Sequence, residues 1–386
     1  MKIEKIKFHN HEILGDLEVD FQDKNGKNLD IIVFIGENGS GKTSLLKSIY
    51  SSFGAGNTRY EEVEDYKVKL TSSLYTIIVR LENGELATLH PDVKNTFFTM
   101  DSKDPKVIFM PVEINFEKIN KVDNTFDFIP KFQNIIDQNM TQNIPSFIAT
   151  KINKEIFKNR NKIIGEVIDK VCEDINSIFK IMELDVKLIG LSETNETKPV
   201  FRNSLGNEFD ITGLSSGEKQ LFLRALSLKF LEVNNSLILI DEPEISLHPQ
   251  WQKKIIEVYK RIGNNNQLII ATHSPHIIGD IESKQLRIIK RDKDGISIVD
   301  NNEISETYGK NVGDILSTTM KINSLRNDDI TRKLNRLYEL LNNNQYKSTE
   351  FNEIFDCLRC YLGELDKDIM RIRLDISIRN RKNVKS

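Results

Sequence analysis

The stretch Gly36-Glu37-Asn38-Gly39-Ser40-Gly41-Lys42-Thr43 constrains this chain more than any other. A continuous apolar run, Ile31 to Ile35, precedes it. Ser44 to Phe53 follows with helical periodicity at Leu45, Leu46, Ile49, Tyr50 and Phe53. Strand, glycine-rich loop and helix, in that order, let backbone N–H groups converge on an anion at the positive end of the helix. Gly36 and Gly41 let the backbone wrap without a Cβ in the way. Lys42 is then expected to bridge the β- and γ-phosphates of a nucleotide, and the Thr43 hydroxyl to bind Mg2+. At average composition the fixed positions match by chance in about one such chain in a hundred. The alternative is a plain glycine turn between strand and helix.

Bulk properties bound the rest. A chain of 386 residues, 39% hydrophobic and 29% charged, can fill one large α/β domain with insertions, or two domains. The net charge of -3 carries no global bias towards nucleic acid. The start, MKIEKIKFHN, lacks the apolar core of a signal peptide, and no run approaches the length of a membrane span. Three cysteines, Cys172, Cys357 and Cys360, make no disulfide framework, so the chain reads as cytoplasmic. Cys357 and Cys360 sit in an apolar-periodic stretch with Ile354, Phe355, Leu358, Tyr361 and Leu362. They are expected as core-facing helix positions rather than zinc ligands.

Three later segments matter to the chemistry. The apolar run Leu237 to Ile240 ends in Asp241-Glu242-Pro243, which places two carboxylates at the C-terminal edge of a strand, where ligands bind in open α/β sheets. Asp241 is expected in the Mg2+ shell, and Glu242 as the group that polarises an attacking water. The alternative is an acidic turn capping the next helix. A further apolar strand, Leu268 to Ala271, ends in Thr272-His273-Ser274-Pro275, and His273 there can sense a terminal phosphate and orient water. The third segment, Leu214-Ser215-Ser216-Gly217-Glu218-Lys219-Gln220, is a polar turn before an apolar helix.

With these elements in this order the chain resembles the ABC-class ATPases, and more closely their soluble branch of RecF, SMC and overcoming-lysogenization-defect type. The resemblance covers roughly residues 1–290. The interval from Thr43 to Leu214 leaves room for an insertion, whereas Ser216 to Asp241 holds one helix and one strand. The resemblance implies ATP and Mg2+ as cofactors. It implies that Ser215, with Ser216 and Gly217, caps the γ-phosphate held by the glycine loop of a second copy, so that two chains meet around ATP. It also implies a further loop, Glu244-Ile245-Ser246-Leu247-His248-Pro249, after the carboxylates, with His248 where transporters carry Asp. The family's Q-loop glutamine has no obvious equivalent; Glu113 or Asn115 is expected in its place. A nuclease of the overcoming-lysogenization-defect type would add a metal-binding domain after His273. The DxD at Asp292 and Asp294 reads instead as a hairpin turn before Gly295.

The expected fold is α/β: an ATPase head with a mixed sheet around the glycine loop, an antiparallel β-subdomain, a helical insertion and a C-terminal helical tail. The head is expected over 1–114 and 184–300, the insertion over 115–183, and a partner or oligomerisation region over 301–386. Hairpins are expected around Asn83-Gly84 and over 186–211, and three amphipathic helices beyond about 325, broken near Asn342–Asn344 and Gly363. Tyr308-Gly309-Lys310-Asn311 and the helices after it resemble the small anti-phage ATPases of Septu and retron systems. That resemblance implies a homodimer or higher oligomer and a separately encoded nuclease partner of HNH type. The alternative is an ATPase of RecF or SMC type that acts on DNA without a nuclease. Residues 367–386 hold seven Lys or Arg against two Asp, readable as a solvated helix end or as a contact to DNA.

Overall fold

The computed structural model describes residues 1–53, 76–82, 86–89, 105–112, 114, 122–123, 126, 128–193, 197–293, 295–299, 304–322 and 324–383. By packing, the chain divides into two units, Met1–Val312 and Gly313–Ser386. Among the described residues no helix is long and apolar enough to cross a membrane.

In the first unit, β1 (Ile3–His9) and β2 (Glu18–Asp20) pair antiparallel. The apolar run before the glycine loop becomes β3 (Ile31–Gly36), buried from Ile31 to Ile35. A strand buried on both faces needs partners on both edges and cover above and below. Its edge partners are themselves apolar runs, β12 (Gln267–Ala271) and β13 (Leu286–Asp292), both parallel to it. Next to β12 lie β11 (Leu237–Asp241), β6 (Val107–Met110) and β7 (Gln133–Ile135), again parallel. With β14 (Gly295–Ile298) antiparallel at the far edge, the seven-stranded sheet runs β14-β13-β3-β12-β11-β6-β7. The mixed sheet is as expected. In it β3, β12 and β11 lie side by side, with Phe34 opposite Ala271 and Ala271 opposite Asp241. The ends of the three motif-bearing strands therefore meet at one edge.

One face of that sheet is covered by α1 (Lys42–Ser52). Its Leu45, Leu46 and Ile49 share a core with Phe34, Phe109 and Leu239 of the main sheet and with Ile3, Ile6 and Phe8 of β1. The antiparallel subdomain runs β2-β1-β4-β5, with β4 (Thr76–Leu81) and β5 (Leu86–Leu89). The expected turn at Asn83-Gly84 lies outside the described residues.

Residues 115–183, read from sequence as helical, hold α2 (Gln138–Gln142), α3 (Ile144–Lys158) and α4 (Ile164–Ser177). The helical reading missed β7, which extends the main sheet from the edge of β6. A strand of three residues shows no period to read. A small sheet follows, β10-β9-β8, from β8 (Val186–Leu191), β9 (Pro199–Asn203) and β10 (Glu208–Asp210). The unit continues with α5 (Ser216–Phe230), α6 (Pro249–Lys260) and α7 (Pro275–Ile278).

A short helix, α8 (Val312–Asp314), marks the junction of the two units. The second unit contains the three expected helices, α9 (Asp328–Asn342), α10 (Thr349–Leu362) and α11 (Lys367–Asn383). Asn327 and Ser348 cap the first two by accepting from Ile330 and Phe351 N–H groups. Each such cap is worth about 1 kcal/mol. Leu334, Leu337, Leu341, Phe351, Leu358, Ile369 and Ile372 form the unit's own core. The expectation for the cysteines needs correction. Cys360 is exposed and Cys357 half-buried, because α10 turns Phe351 and Leu358 inward and leaves Cys360 on the other face.

Candidate nucleotide site

Every side chain singled out in the glycine loop lies at the sheet edge just described. Gly36 ends β3, and Glu37, Asn38 and Gly39 form an exposed arc. Ser40 is buried, and Gly41 caps α1 with φ 99°, a left-handed value that a side chain would resist. Lys42 is 6% exposed. Its ammonium folds back to donate to the carbonyls of Gly36 and Glu37, each at 3.0 Å. Burial holds its pKa below the usual lysine range, opposed by the charges of Glu242, Asp241 and Glu244. A cation is thus parked inside the loop on two carbonyls, in the field of three acidic side chains.

Asp241 is 1% exposed at the end of β11, and neither carboxylate oxygen has a full hydrogen bond. Burial raises its pKa, and the nearby Thr43 hydroxyl is the strongest influence pulling it back. Buried acceptors are normally paired, and two orphaned oxygens beside a hydroxyl are donor chemistry suited to a hard cation. Thr43 and Asp241 therefore fit Mg2+. Among the described residues no three His, Cys, Asp or Glu side chains cluster to hold a metal by themselves. A cation here would complete its shell with water or phosphate oxygens.

Glu242 turns the chain out of β11 in a left-handed conformation, φ 45°. Such a backbone costs about 1 kcal/mol or more away from glycine and persists where surroundings enforce it. Here the Glu242 N–H is held by the Ala271 carbonyl at 2.9 Å. The carboxylate comes within 3.7 Å of His273 Nε2, and both side chains remain about 30% exposed, at 29% and 30%. Burial, then the Lys42 charge, lowers the His273 pKa against the pull of Glu242, so the imidazole is neutral at neutral pH. The structure brings these two residues together with Lys42, Thr43 and Asp241.

The Leu214 segment is built differently. Leu214 is buried, while Ser215 and Ser216 are exposed at the start of α5. The Ser215 hydroxyl accepts from the Glu218 N–H at 3.3 Å and the Glu218 carboxylate accepts from the Ser215 backbone N–H at 2.9 Å, closing a capping box, while the hydroxyl also donates to that carboxylate at 2.6 Å. Gly217 is pressed against the neighbouring turn. A Cβ there would stand 2.8 Å from the Ser246 carbonyl and 3.3 Å from the Trp251 ring. Gln220 donates to the Ser246 hydroxyl at 3.3 Å.

Sequence reasoning missed the roles of Arg224 and Glu244. Arg224, 2% exposed, donates to the carbonyls of Pro111 and Val112 at 3.2 and 2.9 Å, tying α5 to the chain leaving β6. Its signal was a charge inside the apolar stretch Leu221-Phe222-Leu223-Arg224-Ala225-Leu226. Glu244 was read only as part of a loop, yet burial raises its pKa and its Oε2 is enclosed without a hydrogen-bond partner. Glu113 and Asn115, expected in the Q-loop place, lie outside the described residues, as does Asp294.

A glycine loop after β3, carboxylates at the end of β11, a histidine after β12 and a serine–glycine turn opening α5 are the arrangement that the resemblance to ABC-class ATPase heads implies. Comparison with known proteins adds relatives. A family model described as "AAA domain, putative AbiEii toxin, Type IV TA system" matches residues 90–279. Septu protein PtuA of Bacillus mycoides is 22% identical over 93% of this chain and 50% of its own length. The Retron Vc95 probable ATPase of Vibrio cholerae is 28% identical over 46% of this chain and 36% of its own. The solved SMC head bound to the C-winged helix domain of ScpA covers 78% of this chain and 97% of its own, at 14% identity and a TM-score of 0.43. The chain is similar in sequence to Septu PtuA and to the retron ATPases. It spans half the length of that PtuA and about a third of the retron ATPase, at 50% and 36%.

Proposed function

We propose that this protein binds and slowly hydrolyses Mg2+–ATP at a site completed by a second copy of the chain. The observation that carries the reading is the orphaned, buried Asp241 carboxylate beside Thr43 and within the field of Lys42. On this reading Gly36, Glu37, Asn38, Gly39, Ser40 and Gly41 wrap the phosphates, and Lys42 leaves its two carbonyls for them. Mg2+, held by Thr43 and Asp241, would neutralise phosphate charge. Glu242 accepts the proton of the attacking water, and neutral His273 orients that water by hydrogen bonding. Ser215, Ser216 and Gly217 of one copy cap the γ-phosphate on the other, an assignment supported by the exposure of Ser215 and Ser216 at a helix N-terminus. ATP then acts as an interfacial ligand, and hydrolysis resets the pair.

The relation to Septu and retron ATPases supports a role in anti-phage defence, in the cytoplasm, with the ATPase controlling a separately encoded nuclease of HNH type. The second unit, 313–386, is the candidate surface for that partner or for higher assembly. Its α11 leaves Met370, Leu374 and Ile378 exposed at helical spacing. The basic character of α11 gives less support to a DNA contact. Arg379 is bound to Asp375 and Asn344, Arg373 pairs with Glu364, and Arg371 stacks over Tyr338.

The test is the mass of the full chain in solution with Mg2+–ATP. Glu242→Gln should retain ATP and accumulate as a nucleotide-dependent dimer, with turnover reduced about a hundredfold or more. A variant that hydrolyses ATP at the wild-type rate would remove Glu242 from its assigned role.

A further inference from the structure

Glu244 takes no part in the chemistry above, yet local polar contacts converge on it. It lies in the turn after β11, two residues beyond Glu242. Its Oε1 accepts the Thr272 hydroxyl at 2.6 Å and the His273 backbone N–H at 2.8 Å. The Thr272 oxygen in turn accepts the Ser274 N–H at 2.9 Å. The Ser274 hydroxyl donates to Gln252, whose amide donates to the Leu247 carbonyl at 3.0 Å.

The reason such a group is needed lies in the sheet. Thr272 still bonds to β3 through the Phe34 carbonyl at 3.1 Å, but there the chain leaves the ladder. The next N–H, that of His273, needs a partner elsewhere, since buried backbone donors are rarely left unpaired. Glu244 supplies it. From the other side, Glu242 donates its own N–H to Ala271 at 2.9 Å. Two stitches therefore run between the turn at 242–244 and the turn at 271–273. One ends on the residue before Thr272, the other on His273 itself.

We propose that Glu244 is a positioning residue for hydrolysis: through one carboxylate oxygen it holds the Thr272 hydroxyl and the His273 backbone N–H, so that the imidazole faces Glu242. This rests on the reading of Glu242 and His273 given above. An acceptor is what the place requires. Both bonds arrive as donors on one oxygen, so a glutamine amide oxygen can receive them and an alanine cannot.

Steady-state ATPase kinetics of the full chain with Mg2+ tests it. Glu244→Ala should lower kcat by about thirtyfold with KM for ATP within about twofold, because a misplaced catalytic group costs rate rather than ground-state binding. Glu244→Gln should stay within about threefold of wild type, and Thr272→Val, which removes one donor, should fall between them. Added to Glu242→Gln, Glu244→Ala should cause no further loss, since the two act as a unit. Equal losses in the Gln and Ala variants, a KM rising in step with the loss of kcat, or losses that multiply with Glu242→Gln would each overturn the proposal. Should Glu244→Ala not fold, the Gln and Val variants decide. A wild-type rate in Thr272→Val with a strong loss in Glu244→Gln overturns it. If Glu242→Gln is dead and Glu244→Ala runs at the wild-type rate, only the role of Glu244 fails. If Glu242→Gln itself runs at the wild-type rate, the reading beneath fails and takes the proposal with it.

Discussion

The two halves of the candidate site solve opposite problems. The half on β3 and β11 is buried and polar but incompletely paired: Lys42 rests on carbonyls and Asp241 has two orphaned oxygens. The half at the start of α5 is exposed and fully paired within itself, through the capping box of Ser215 and Glu218. Unpaired buried groups cost stability until a ligand arrives, whereas an exposed, self-capped turn costs nothing while waiting. One half is built to take a ligand in, and the other to be brought to a ligand already held elsewhere.

The sharpest way to break that contrast is complementation. Lys42→Ala should lose ATP binding, and Ser215→Arg should keep binding while losing roughly a hundredfold in turnover. Mixed together, the two dead variants should recover a substantial part of the wild-type rate, because the mixed dimer contains one intact pairing of Lys42 and Ser215. No recovery in the mixture, measured by phosphate release, would mean that both halves act within one chain. A smaller effect tests the buried half alone. Asp241 has a raised pKa because burial disfavours its charge, so its carboxylate weakens the fold as pH rises past the ordinary aspartate range. Asp241→Asn should therefore stabilise the nucleotide-free protein by on the order of 1 kcal/mol while abolishing Mg2+-dependent turnover. Thermal melts without nucleotide would read this, and a lowered Tm would contradict it. The smallest effect concerns pH. Burial lowers the pKa of both His11 and His273. Below about pH 6.5 the unfolded chain then binds more protons than the folded one, so stability should fall as pH drops through that window. Urea midpoints at neutral and mildly acidic pH should show the slope, and replacing both histidines by Gln should flatten it.

Much of the contrast was legible in the sequence. The glycine loop, the strand-end carboxylates and His273 each follow an apolar run, and a buried strand announces both its position and its end. The Ser215 turn was legible because a polar segment interrupts the approach to a long apolar helix. What the sequence hid is the set of polar contacts between those strand ends. Glu244 lies close to Glu242 in the chain, but its bonds go to the end of another strand, which only the pairing of β11 with β12 brings near. Arg224 reaches back to the chain after β6 for the same reason. β7 stayed hidden because it is too short to have a period, and Cys360 was misjudged because apolar neighbours in sequence need not share its helix face.

The contact of Gly217 with the Ser246 carbonyl has a wider consequence. The turn that begins α5 and the turn that carries Glu242 to Ser246 rest directly on each other, with Gln220 bonded across them. If α5 is drawn towards a nucleotide on a neighbouring copy, it bears on the carboxylates serving this copy's own nucleotide. Two sites joined in this way are not independent. Filling one site of the dimer would then shift the ATP response of the other.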